Sequence, residues 1–191
     1  RFRAERARAP SHRYEVPTAA VLIVEATGAG LRVAEIGDCA VYVAAGREVV
    51  RIGGTAEGRA RETDSARQLM AGGGGRTAAV VEHLRRVRER ANAPDGYPIV
   101  APDAASAARA RRHDVAAEAA DALLVTDGYD AASDDYGLYS PAELVAAARE
   151  DIRAPLAALR AVEAADPTLE RFPRFKPSDD ATAILVRIAG G

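Results

Sequence analysis

Leu31-Arg32-Val33-Ala34-Glu35-Ile36-Gly37-Asp38-Cys39-Ala40-Val41-Tyr42-Val43 is the stretch whose reading decides the fold. Leu31 to Ile36 alternates apolar and polar residues, as a half-buried strand does. Gly37-Asp38 breaks the pattern and Ala40 to Val43 resumes it. Upstream, Thr18-Ala19-Ala20-Val21-Leu22-Ile23-Val24-Glu25 is a continuous apolar run between Pro17 and Gly28, which predicts a strand covered on both faces. Downstream, Ala45-Gly46 turns and Glu48-Val49-Val50-Arg51-Ile52 closes the set. Four strands joined by tight turns predict an antiparallel meander.

The chain then becomes helical. Glu57 to Ala71 carries charge on most faces, and Gly72 to Gly75 stops it. Those glycines follow a helix and lack the Lys-Ser/Thr of a phosphate loop, so they read as a flexible linker. Ala79-Val80, Leu84 and Val87 recur at spacings of three and four, which predicts an amphipathic helix to about Arg90. Asn92 to Pro102 is turn-rich around Ile99-Val100. Ala107 to Val115 stays open: its Ala and Arg content favours helix, while a strand there would suit the sheet. Asp121 to Thr126 is a buried strand. Ser140-Pro141-Ala142-Glu143 supplies an N-cap, a Pro at N1 and a Glu at N3 of a helix. Another helix runs from Pro155 to Ala165 and ends at Pro167. Leu169 to Pro177 is a loop whose Phe172 and Phe175 pin it, and Thr182 to Ile188 is the last strand. Strands first, then helices, then single strands between helices predict an α+β domain: antiparallel sheet packed on helices.

Composition bounds the function. The 191 residues suit one domain with a real core. A formal net charge of -2 argues against a generic nucleic-acid or anionic-membrane binder. The single cysteine, Cys39, excludes an internal disulfide framework and an all-Cys zinc site, and fits a reducing, cytoplasmic compartment. No apolar run reaches the ~20 residues of a membrane span. No signal-peptide pattern is visible.

Two acidic turns carry the chemistry. In Leu123-Leu124-Val125-Thr126-Asp127-Gly128 a strand runs into Asp127; in Ser178-Asp179-Asp180-Ala181-Thr182 an acidic turn leads into the strand Ala183-Ile184-Leu185-Val186. A carboxylate at a strand end is held by a stiff scaffold yet reaches solvent. Two of them together make a hard, oxygen-rich seat suited to Mg²⁺ or Mn²⁺. Asp is also common at strand ends because it favours turns. His12, His83 and His113 are isolated, without ligand spacing, and His83 reads as exposed on a charged helix.

Three segments in order resemble the metal-dependent protein phosphatases, the type 2C Ser/Thr family. Ala34-Glu35-Ile36-Gly37-Asp38-Cys39-Ala40-Val41-Tyr42 resembles their strand-Gly-Asp-Ser-strand hairpin. Leu123 to Gly128 resembles their strand ending in Ser/Thr-Asp-Gly, and Ser178 to Val186 their C-terminal Asp-Asn/Asp-x-Thr/Ser strand. The resemblance spans Thr18 to Ile188. It implies a sandwich of two packed antiparallel sheets flanked by helices (αββα), incomplete at the N-terminus. It implies two Mn²⁺ or Mg²⁺ ions, with a third, looser one in some members, that activate a water to hydrolyse phosphoserine or phosphothreonine in proteins. The implied partner is a phosphorylated protein, a Ser/Thr kinase or its target, met by a monomer of bacterial type, without nucleic acid or membrane.

Residue by residue, Asp127 and Asp179 match metal-ligand aspartates, and Gly128 lets the backbone turn beside the first. Asp38 matches the Gly-Asp-Ser aspartate that helps hold the third ion. Asp180 stands where the family has a supporting Asn or Asp, and Cys39 where it has Ser; Cys39 reads as a small packed residue rather than a nucleophile.

The family's first metal aspartate, its Asp-Gly-x-Gly-Gly segment and its phosphate-binding Arg have no match here. Asp130, Asp134 and Asp135 read as a solvated acidic turn rather than ligands. Arg1, Arg3 and Arg6 read as the exposed face of an upstream helix, so that residues 1–17 are a helix end with a connector and 18–191 the C-terminal part of a single domain. The chain thus reads as a fragment, inactive alone. The other reading is a pseudophosphatase or phosphoprotein-binding regulatory module without hydrolysis. The Glu57–Arg90 helix pair lies where the family places its variable flap.

Overall fold

The computed structural model describes residues 8–70, 77–117 and 120–188. Its strands are β1 (Val21–Thr27), β2 (Gly30–Ile36), β3 (Ala40–Ala45), β4 (Glu48–Gly53), β5 (Arg111–Ala116), β6 (Ala120–Val125) and β7 (Ala183–Ile188). Its helices are α1 (Ala56–Met70), α2 (Ala78–Glu89), the short α3 (Ala104–Ala107) and α4 (Asp127–Asp130), α5 (Pro141–Glu150) and α6 (Ala154–Ala164). The domain is an α+β sandwich of two antiparallel sheets, one ordered β1-β2-β5 and the other β4-β3-β6-β7.

Leu31 and Val33 of β2 meet Val41 and Val43 of β3, Ile52, Ala120 and Ala122 in a buried layer between the sheets. The expected four-strand meander is therefore corrected. β2 pairs with β1 and β5, while β3 pairs with β4 and β6. The first four strands are two hairpins in two sheets, and Gly37-Asp38 crosses between them. Stacking face to face buries the apolar sides of β2 and β3 against each other, which pairing edge to edge would leave to other partners. Gly37 permits the crossing: its φ is +99°, and a Cβ there would lie 2.7 Å from the Ala20 Cβ.

β1 is an edge strand, not one covered on both faces. Leu22 and Val24 face the layer between the sheets, but Ile23 is 58% exposed. On that outward face Arg32 of β2 pairs with Glu25 at 3.2 Å and Asp114 of β5 at 3.5 Å, across the strand register. The open Ala107–Val115 stretch ends in a strand, β5. Its inward side carries Arg111 and His113, which serve a buried carboxylate: Glu35 is 2% exposed and takes Arg111 Nε at 2.5 Å on Oε1, with His113 Nε2 3.4 Å away.

The other face of the four-stranded sheet packs on helices. Tyr42, Leu123 and Val125 join Tyr129, Leu144, Val145 and Leu159 in a second core beneath α4, α5 and α6. Helix α5 begins where the sequence places it. The Ser140 hydroxyl accepts from the Glu143 amide at 3.3 Å, and the Glu143 carboxylate accepts from the Ser140 amide at 2.8 Å, a reciprocal cap worth about 1 kcal/mol. A smaller cluster joins Leu69 of α1 and Val80 and Leu84 of α2 to Leu169 and Phe175. It corrects His83 too. That residue is half-buried, its ring 5.6 Å from Phe175, because the loop carrying Phe175 packs over α2.

Arg1, Arg3, Arg6 and the Gly72–Gly75 linker lie outside the described residues. Among the described residues no helix is long and apolar enough to cross a membrane.

Candidate metal centre

Three strand ends of the four-stranded sheet meet at one edge. Ala40 at the start of β3 pairs with Val125 at the end of β6, and Val125 pairs with Ala183 at the start of β7. Asp38, Asp127 and Asp179 precede or follow those residues by a few positions, so antiparallel order delivers all three to the same edge. The sequence placed each at a strand end; the register makes them neighbours.

Local bonds lock the two acidic turns together. Thr126 is the N-cap of α4 but makes no side-chain cap there. Its hydroxyl accepts instead from the Thr182 amide at 3.0 Å, and its own amide donates to the Thr182 carbonyl at 3.0 Å. Gly128 then lies directly on the second turn: a Cβ there would be 2.2 Å from the Asp180 carbonyl oxygen and 3.0 Å from the Asp179 Cβ. Any side chain would force the turns apart. Each aspartate also accepts from the next amide, Gly128 N–H to Asp127 Oδ1 at 2.9 Å and Asp180 N–H to Asp179 Oδ1 at 2.7 Å, which fixes the carboxylates against rotation.

The loop behind Asp179 is braced by charge. Arg174 donates to the buried Asp166 carboxylate at 2.7 Å and to the carbonyls of Phe172 at 2.8 Å and Pro177 at 3.0 Å. Phe172 packs on Tyr136, ring centroids 4.4 Å apart. Arg160 binds Glu163 at 2.5 Å and reaches the Asp179 carbonyl. Lys176 pairs with the Asp179 carboxylate itself.

The electrostatics are those of crowded like charge. Burial, then Asp38 and Asp179, push the Asp127 carboxyl up to about 6. Asp127 opens to solvent on its outer side, and water there screens part of the repulsion. Burial, then Asp127, Asp135, Asp38 and Asp179, also raise the Glu62 carboxyl of α1. Glu62, itself solvent-exposed, lies within electrostatic reach of the same edge, a neighbour the sequence reading missed; its charged helix gave no apolar stripe from which to infer a facing side. The Cys39 thiol is pushed up to about 11 by burial and then by Asp38, Asp127 and Asp130, which leaves it protonated and unreactive at neutral pH.

Asp130 corrects the solvated-turn expectation. It is 1% exposed, turned away from the edge, and accepts from Tyr42 and from Arg51 and Arg59. Asp134 pairs with the same two arginines, and Asp135 lies 4.0 Å from Arg59. A buried tyrosine hydroxyl needs a partner, and Tyr42 faces Arg51 across the β3–β4 register. That pair was the available signal for a buried carboxylate.

The donors at the edge are carboxylate oxygens, which suit a hard cation. Among the described residues no group of three or more His, Cys, Asp or Glu is arranged to hold a metal ion. Asp127, Asp38 and Asp179 are close enough for their like charges to act on one another, and Mg²⁺-type sites built on one or two carboxylates complete their shell with water. No protein-family model, curated protein or solved structure matches the chain.

Proposed function

We propose that this chain carries the ion-holding edge of a metal-dependent hydrolase of phosphoserine and phosphothreonine in proteins. The observation that carries the reading is the junction of Gly128 with Asp179 and Asp180, which presses the two acidic turns together while each carboxylate is held by the amide that follows it. A bound Mn²⁺ or Mg²⁺ would supply positive charge for phosphoryl oxygens and a water of lowered pKa. The chain's own part is to hold that charge: Asp127 and Asp179 as ligands, Gly128 as the close-packing hinge, Asp38 as a carboxylate for a looser ion. Their mutual repulsion favours cation uptake, because a cation relieves it. α1, whose Glu62 feels the charges of the edge, is the element this reading assigns to meeting the protein that bears the phosphate.

A second reading, a phosphoprotein-binding module without hydrolysis, draws on the lack of a third converging ligand among the described residues. Two carboxylates hold a cation and an anion but leave a water poorly oriented, so this chain by itself is expected to bind rather than turn over. Binding and hydrolysis of a fluorescent phosphoserine peptide, with and without Mn²⁺, test both. Mn²⁺-dependent binding lost in Asp127→Asn supports the site in either form. Sustained turnover excludes the module, and binding alone is what both readings expect of this chain by itself. Peptide binding indifferent to Mn²⁺ and to Asp127 sinks the proposal.

A further inference from the structure

The chain has one lysine, Lys176, and it sits on a candidate metal ligand. Its ammonium pairs with Asp179 Oδ1. The arginines nearby are committed elsewhere. Arg51 and Arg59 are held by Asp130 and Asp134, Arg160 by Glu163 and a carbonyl, and Arg174 by Asp166 and several carbonyls. Lys176 differs in two ways. Its side chain is 56% exposed, and among the described residues its one polar partner is Asp179.

We propose that Lys176 is the anion-contacting residue of this site, held on Asp179 until a divalent cation replaces it. The inference rests on the metal reading given above. A divalent cation on Asp179 takes the oxygen that the ammonium occupies and repels the ammonium itself. A lysine stem is long and flexible, so the freed charge stays at the rim, three residues from Asp179. The Arg174 bond to the Pro177 carbonyl keeps the backbone beside it in place. A phosphate bound at the ion then has a point charge next to it. One residue thus couples the two events: it competes with the cation in the empty site and binds the anion in the loaded one.

Reductive ¹³C-methylation keeps the charge and labels the only lysine side chain, giving a single side-chain NMR signal. Mg²⁺ and inorganic phosphate are the probes. The methyl signal is expected to move on Mg²⁺ addition, as the Asp179 pair breaks, and to move again when phosphate follows. Lys176→Met is expected to tighten Mg²⁺ about threefold, the worth of one exposed ion pair, and to weaken Mg²⁺-dependent phosphate binding about tenfold. Lys176→Arg should restore phosphate binding. If Mg²⁺ does not bind, or binds equally to Asp179→Asn, the metal reading falls and this inference with it. If Mg²⁺ binding requires Asp127 and Asp179 but the lysine signal stays still and Lys176→Met binds phosphate like the parent, this inference alone is overturned.

Discussion

Asp127 and Asp130 lie three residues apart on the same short helix and meet opposite surroundings. Asp130 points inward, 1% exposed, and is compensated by Tyr42, Arg51 and Arg59. Asp127 points to the sheet edge among Asp38, Asp179 and Glu62, with Lys176 as the cation that offsets it. The first carboxylate has its counter-ions built in and holds α1 and β4 to the core. The second is crowded by like charges and offset by Lys176 nearby, the setting on which the proposed cation site rests. Identical side chains on one helix thus divide into one neutralised by buried partners and one crowded by like charge, and the proposed binding role falls to the second.

The largest effect should come from the compensated side. Asp130→Ala would take the buried partner from a tyrosine hydroxyl and from two arginines that are 21% and 18% exposed, leaving the arginines the more exposed Asp134. We expect a loss of about 3–5 kcal/mol in urea unfolding; a loss below about 1 kcal/mol would place Asp130 with the solvated acids instead.

The uncompensated side should respond in the opposite direction. The Asp127 carboxyl is raised in the fold to about 6, above its unfolded value. The stability it contributes is therefore present below about pH 4 and lost as pH rises through 6. Asp127→Asn should stabilise the ion-free protein at pH 7, by about 1 kcal/mol or less after solvent screening, and make little difference at pH 4. Destabilisation at pH 7 would contradict the like-charge account. Replacing Gly128 sharpens the comparison from the backbone. Gly128→Ala should cost about 2 kcal/mol and weaken Mn²⁺ binding together, because a Cβ would press on the Asp180 carbonyl 2.2 Å away. The smallest effect concerns reactivity alone: with its thiol raised to about 11, Cys39 should react with iodoacetamide at pH 8 about a hundredfold more slowly than free cysteine.

The sequence showed the parts better than their partners. Helix α5 was legible because its capping residues act locally. β6 and β7 were legible because their apolar runs are bounded by turn residues. The split of β2 and β3 between sheets was not, since each finds its second partner far along the chain, β5 and β6, and local alternation is silent about distant pairing. β5 was obscured for a chemical reason: its inward Arg111 and His113 answer the buried Glu35, so Val115 alone is apolar on that face. At the candidate site Asp38, Asp127 and Asp179 were legible as acids at strand ends. Glu62 and Lys176 were not, because what matters for them is which side of the edge they face.

Calorimetric titration of Mn²⁺ into the chain, Asp127→Asn and Asp179→Asn addresses the central claim most directly. The parent should bind Mn²⁺ at the sheet edge, and each single substitution should weaken that binding by at least about tenfold, since each removes a carboxylate ligand of a hard cation. Equal binding by all three proteins, or none by the parent, would contradict the account.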